Sequence, residues 1–171
     1  MSHIKRIALW SAAFLFFLSP VALPQQVSSE SVLRYLEQDL NIQPGYGFKK
    51  VRLGYTFNQV SSVWGQPSNV QQFPLFGVTK KWNYNAGSTR IVLIGNSVVE
   101  SIEVIGDFSS PFQTSEGVRF GTSPHQIIAV YGRPDAAKGL EHLTYNRRGI
   151  EFAMENGNLR ALRVFPAGRA K

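Results

Sequence analysis

Leu53-Gly54-Tyr55-Thr56, then Val60 and Val63-Trp64-Gly65-Gln66-Pro67, are answered by Phe120-Gly121-Thr122-Ser123, then Ile127 and Val130-Tyr131-Gly132-Arg133-Pro134. Both stretches place a glycine before a hydroxyl residue, then an apolar residue, an aromatic residue, a glycine and a proline at matched spacing. Thr56 with Gln59, and Ser123 with Gln126, have the spacing of a capping box, in which the hydroxyl accepts from a free backbone N–H and the glutamine reaches back. Pro124 suits the first helical position, where its missing N–H leaves no bond unmade. Gly65 and Gly132 fall where a left-handed C-terminal cap is wanted, and Pro67 and Pro134 prevent continuation. Each stretch therefore predicts a helix of about two turns.

Beyond each helix the apolar period becomes strand-like. In the first copy Asn69 to Phe73, Lys80 to Tyr84, Arg90 to Ile94 and Val98 to Ile105 are strand candidates, and in the second His142 to Asn146, Ile150 to Met154 and Leu159 to Phe165. Asn156-Gly157 is the favoured pair for a tight hairpin turn. Val99 to Ile105 matches Leu159 to Phe165, so the similarity runs to the end of each unit. The expected fold is α+β: a tandem repeat of short capped helix plus antiparallel β-meander. Before it, Val32, Leu33, Leu36 and Leu40 recur at helical spacing behind Ser28-Ser29, which predicts an amphipathic N-terminal helix over Ser29 to Leu40.

The first residues have a basic start at Lys5 and Arg6, an almost wholly apolar run from Ile7 to Leu18, and Ser19-Pro20-Val21-Ala22 after it. This is the layout of a secretory signal, short for a membrane span. The expected organisation is a signal peptide or signal anchor over 1–24, the N-terminal helix and linker over 25–48, a first repeat over 49–108, a linker over 109–115 and a second repeat over 116–171. The expected location is the periplasm or the exterior, with inner-membrane contact only through residues 1–24 if they are not cleaved. Units of this size bury thin cores alone, so the two copies should share an interface.

The chain has no cysteine, which removes disulfides, a thiol nucleophile and a cysteine zinc site. Setting Lys5 and Arg6 aside leaves 16 of the 18 basic residues against 11 acidic ones. The excess is scattered over Lys49-Lys50-Arg52, Lys80-Lys81, Arg147-Arg148, Arg160 and Arg163. For an exported chain this points to a protein or an anionic envelope component as partner, not to nucleic acid.

Lys50-Val51-Arg52-Leu53-Gly54-Tyr55-Thr56, Gln59-Val60, Trp64-Gly65-Gln66-Pro67 and Trp82-Asn83-Tyr84 resemble the SmpA/OmlA family of small outer-membrane lipoproteins, the BamE-type assembly factors. The second copy matches through Gly121, Ser123, Gln126, Ile127, Tyr131-Gly132, Pro134 and Tyr145, and a tandem of two such units is similar to the plan of the beta-lactamase inhibitor protein. The resemblance covers about Lys49 to Pro166 and implies a fold. The lipid-bearing cysteine of the BamE type has no counterpart here, and the resemblance transfers no catalytic or metal residue.

Signals for chemistry are few. His125 and His142 have no carboxylate at a spacing that pairs them, Ser61-Ser62 and Ser109-Ser110 lack the context of a nucleophile elbow, and a regular strand puts Glu100 and Glu103 on opposite sides. No phosphate-loop, dinucleotide or metal pattern occurs. The expectation is a non-enzymatic binding module without cofactor or metal, acting through its sheet face, with an inhibitor of an extracytoplasmic enzyme as the alternative. A small hydrolase using His125 or His142 is the alternative of another class. The candidate binding residues are Trp82 and Tyr84, placed on one side of their strand by alternation, and the basic pair Arg147 and Arg148.

Overall fold

The computed structural model describes residues 39–73 and 79–168. The expected signal peptide or signal anchor over 1–24 and nearly all of the predicted helix Ser29 to Leu40 lie outside the described residues. Asp39 and Leu40 are irregular and lead into β1 (Asn41–Ile42).

Helix α1 (Phe57–Trp64) begins at Thr56, whose hydroxyl accepts from the Gln59 backbone N–H at 3.3 Å while the Gln59 side chain accepts from the Thr56 N–H at 2.8 Å. Helix α2 (Pro124–Tyr131) begins in the same way at Ser123 and Gln126, with distances of 3.4 and 3.1 Å. Phe57, Val60 and Trp64 are the buried face of α1, and Pro124, Ile127 and Tyr131 that of α2. Both helices stop at a glycine, Gly65 at φ 78°, ψ −165° and Gly132 at φ 79°, ψ −165°. The positive φ was expected, but the extended ψ takes both out of the left-handed helical region and into one populated essentially by glycine alone.

After α1 come β2 (Asn69–Phe73), β3 (Thr79–Ala86), β4 (Thr89–Gly95) and β5 (Ser101–Ile105). A crossing segment carries β6 (Gln113–Thr114), and after α2 come β7 (Ala136–Lys138), β8 (His142–Tyr145), β9 (Ile150–Glu155) and β10 (Asn158–Val164). Each half thus has one order, a helix and then four strands. The eight strands form one antiparallel sheet in the order β2-β3-β4-β5-β10-β9-β8-β7. The halves meet through their last strands, with Glu103 opposite Arg163 and Val104 opposite Leu162. Glu103 and Arg163 are also the positions that match when Val99 to Ile105 is aligned with Leu159 to Phe165, so the two strands pair antiparallel about matched residues.

Each half also has a matching set of contacts within itself. Gly54 N–H donates to the Val99 carbonyl and Val99 N–H to that of Tyr55, both at 2.8 Å. At the equivalent positions Gly121 N–H donates to the Leu159 carbonyl and Leu159 N–H to that of Thr122, both at 3.0 Å. The turn before each helix is therefore tied to the start of the last strand of its own half. β5 begins at Ser101, later than the expected Val98, whereas β10, tied in the same way at Leu159, begins at Asn158.

The segment expected as a linker, 109–115, takes part in the packing. Its Gln113–Thr114 pairs in parallel with Asn41–Ile42, and Phe112 is buried 5.9 Å from the Phe48 ring. Phe48 also meets Trp64 edge-on at 5.2 Å. Gly47, at φ 111°, lies so close to Ile102 of β5 that a Cβ there would come within 2.7 Å of its Cδ1. Asp39 holds this segment in place by accepting from the backbone N–H groups of Lys49 and Lys50 at 2.9 and 2.7 Å. The centre of the sheet is thus covered by these two crossing segments, with a helix on either side, and one apolar core runs through both halves.

Tyr84 and Tyr145 occupy equivalent places in the two halves. Tyr84 Oη donates to the Gly65 carbonyl at 3.2 Å, and Tyr145 Oη to the Gly132 carbonyl at 2.9 Å. A buried phenol thereby satisfies the carbonyl exposed by each helix stop. Burial pushes the phenols of Tyr84 and Tyr145 above the usual tyrosine range, and that of Tyr131 too, where a hydrogen bond to the Glu116 carboxylate adds to the burial.

Two outcomes are expected. Gly132→Ala should destabilise by about 1 to 3 kcal/mol through backbone strain alone, because a Cβ at Gly132 meets nothing within 4 Å; an unchanged denaturant midpoint would show that φ relaxes freely there. Stability should also fall as pH rises above about 10. The unfolded chain releases its phenolic protons there while the native state keeps them, so the stabilisation is full below that pH and lost above it. Thermal melts across the alkaline range test this, with Tyr84→Phe and Tyr131→Phe flattening the decline; an equally steep decline in both variants contradicts it.

Candidate binding face

Alternation sorts the sheet into two faces. Ile91 and Leu93 of β4, Ile102 and Val104 of β5, Leu162 and Val164 of β10, and Ile150 and Phe152 of β9 are buried on the helix side. The loose alternation of β10 has a local cause: its register with β9 shifts between Leu159 and Ala161, leaving Arg160 as the extra residue of a bulge.

The opposite face carries a row in which each residue is the register partner of the next: Asn83, Val92, Glu103, Arg163, Glu151 and Thr144. At its centre lies a shallow depression of about 330 Å³, lined by Lys81, Ile94, Glu103, His142, Glu151 and Arg163, with Ala153 and Ala161 in its floor. Lys81 on β3 and His142 on β8 have four strands between them, about 24 Å on a flat sheet. Both line one depression, so it extends over several strands of this face.

Arg163 Nη2 donates to Glu151 Oε2, and the other oxygen of that carboxylate lies 3.8 Å from His142 Nδ1. Glu151 thus stands between two basic groups on neighbouring strands. Such half-exposed pairs contribute about 0.2 to 1 kcal/mol, so they set direction and charge more than stability. Lys81 Nζ lies 5.3 Å from the centre of the Phe73 ring.

The sequence candidates fall elsewhere. Tyr84 is fully buried and packs edge-on against Trp64 at 5.4 Å. Trp82 is half-buried, with its ring 4.4 Å from Phe57 of α1 and its indole N–H enclosed without a hydrogen-bond partner. Alternation did put the two on one side of β3, but that side faces the helix. The expectation of an exposed aromatic pair is therefore corrected, since their rings form part of the helix–sheet packing.

Arg147 and Arg148 are exposed in the turn between β8 and β9, in the other half of the sheet from Trp82 and Tyr84. Arg147 Nε lies 3.6 Å from Asp135 Oδ1, and its backbone N–H donates to the same carboxylate at 3.0 Å. The Arg148 guanidinium stands 5.1 Å from the Tyr131 ring centre. The structure does not bring the aromatic and basic pairs together.

His125 is exposed in the first turn of α2. His142 does acquire a carboxylate, Glu151, which local spacing gave no reason to assign. The contact depends on hairpin register: His142 faces Ala153, and Thr144 faces Glu151, making His142 and Glu151 diagonal neighbours. Sequence reading placed Arg52 only within the scattered basic excess and the motif, whereas its Nη1 donates to Tyr46 Oη at 2.8 Å and its guanidinium lies 5.3 and 5.2 Å from the Tyr46 and Tyr55 ring centres. The Tyr46 hydrogen bond, followed by the charge interaction with that phenol, raises the Arg52 pKa further. Among the described residues no group of histidines and carboxylates could hold a metal ion, and no helix is long and apolar enough to cross a membrane.

No family model and no curated protein matches the chain. Solved structures with some likeness include a cysteine-rich secretory protein from Staphylococcus aureus, with a TM-score of 0.48 and 13% identity over 72% of this chain and 46% of that one. An extracellular protein containing an SCP domain from Bacillus anthracis gives 0.40 and 11% over 68% of this chain and 44% of that one. A candidate beta-lactamase inhibitor protein from Streptococcus mutans gives 0.30 and 17% over 62% and 79%. The chain spans less than half the length of the first two. Scores this low carry no argument about function, and the resemblance to the SmpA/OmlA family rests on the residues quoted for it.

Proposed function

We propose that this chain is an exported, non-enzymatic binding module that recognises a protein partner or an anionic component of the cell envelope through the outer face of its sheet. The observation that carries the reading is the depression on the outer face, where Lys81, Glu103, Glu151 and Arg163 line one surface with apolar Ile94 and two alanines. Mixed charge around a small apolar floor suits recognition of another surface better than enclosure of a small molecule. The apolar run Ile7 to Leu18 supports export, and the scattered basic excess supports an anionic partner. Arg147, with its side chain 90% exposed, and Arg148 extend the basic surface at the end of the sheet.

An inhibitor of an extracytoplasmic enzyme is one form this module could take, with the partner's active-site rim seated on the same face. The reading as a hydrolase gains one observation, the Glu151 carboxylate near His142. Against it, Glu151 is already engaged by Arg163, and the residues lining that depression include no serine, threonine or cysteine to act as nucleophile.

The experiment is capture from envelope extract with the wild type, with Lys81→Glu/Arg163→Glu, and with Arg147→Ala/Arg148→Ala, each checked for an unchanged melting temperature. The first double variant is expected to lose a partner retained by the wild type, by roughly tenfold or more at a central contact. Equal capture by wild type and the Lys81/Arg163 variant overturns the outer face as the binding surface. Loss only with the Arg147/Arg148 variant moves the site to the β8–β9 turn.

A further inference from the structure

An eight-stranded sheet has two edges, and these differ. The β7 edge is three residues long, Ala136–Lys138, and carries a lysine followed by Gly139. A short edge with a lysine is the ordinary protection against strand addition. The β2 edge is Asn69–Phe73, five residues of sequence Asn-Val-Gln-Gln-Phe. It has no charge, proline or glycine, and every residue of it is exposed, Val70 at 42% and Phe73 at 44%. Alternate backbone N–H and C=O groups of such a strand point away from its neighbour, and among the described residues no strand pairs with them on that side.

We propose that β2 is a strand-pairing edge whose partner is the β2 strand of a second copy of this chain, joined antiparallel about Gln71. Three observations favour a second copy. First, the chain already makes this kind of junction internally, where the equivalent strands β5 and β10 pair antiparallel about Glu103 and Arg163. Second, β2 is self-complementary when turned upon itself: Gln71 meets Gln71, Val70 meets Gln72 and Asn69 meets Phe73, so no like charges oppose each other and side-chain amides meet at the axis. Third, the nearest lysines, Lys80 and Lys81, lie on β3, one strand behind the edge. Across the junction they stand about three strand spacings apart, roughly 14 Å, beyond the screening length of about 8 Å at physiological salt. The junction lies at the sheet's edge and is independent of the outer-face reading. Five residues a side bury less than the roughly 1,200 Å² of a tight dimer, so the association is reversible and depends on concentration.

The test uses the internal junction as its template. Full-length wild type, Gln71→Glu, Gln71→Arg and an equimolar mixture of the two variants are compared by sedimentation velocity, so any association through Ile7 to Leu18 is common to all samples. Each variant alone puts like charges at the axis and should raise the dissociation constant by up to about fivefold, while the mixture restores or exceeds wild-type association. The same chain, free of native cysteine, allows a positional check by mild oxidation: Gln71→Cys should form a covalent dimer at least about ten times faster than Lys138→Cys on the other edge. Identical sedimentation in all four samples, or equal cross-linking at the two edges, overturns the proposal. Unchanged melting temperatures separate a lost junction from a lost fold.

Discussion

Pairing of β5 with β10 is the constraint on which the rest of the structure depends. Each half alone is a four-stranded meander with one two-turn helix, and so small a unit buries too little apolar surface to stand on its own. Joined edge to edge, the halves make one sheet whose centre is covered by the segments around Phe48 and Phe112. Those segments in turn pack on Ile102 and Trp64, so the covering layer depends on the seam beneath it. An internal junction of equivalent strands needs its axial pair to tolerate close approach. Glu103 opposite Arg163 meets that need with opposite charges where a strict repeat would have set one residue against its like.

The seam also builds the outer face. Glu103, Arg163 and Glu151 come from three adjacent strands, and only the β5–β10 register places the first beside the other two. Copy one contributes Lys81 and Ile94 to the same depression and copy two contributes His142. A partner seated there would touch both halves, so loss of the seam would remove the proposed binding face along with the shared core.

Much of the fold was legible because the informative residues act locally. Thr56 with Gln59 and Ser123 with Gln126 fix the helix starts, and Gly65 and Gly132 fix their ends. Asn156 at φ 51° and Gly157 at φ 75° make the expected hairpin turn. What escaped depends on non-local partners. Ala136–Lys138 has little intrinsic preference for a strand and becomes one through β8. Asn41–Ile42 and Gln113–Thr114 lie 72 residues apart in their side-chain contact and are strands through each other. The site was less legible than the fold for the same reason. Alternation puts Trp82 and Tyr84 together but cannot say which side the helix covers, and the meeting of His142 with Glu151 is a matter of register. Arg147 and Arg148 were readable as exposed because a turn between two strands leaves its side chains in solvent.

Native-state hydrogen exchange on the backbone amides of β5 and β10 tests the seam most directly. If the two halves form one cooperative sheet, these amides share the largest opening free energy in the chain, equal to that of global unfolding, and a destabilising change in either half lowers both together. Exchange of one half through an opening that leaves the other half's strands protected would contradict a single sheet held at β5 and β10.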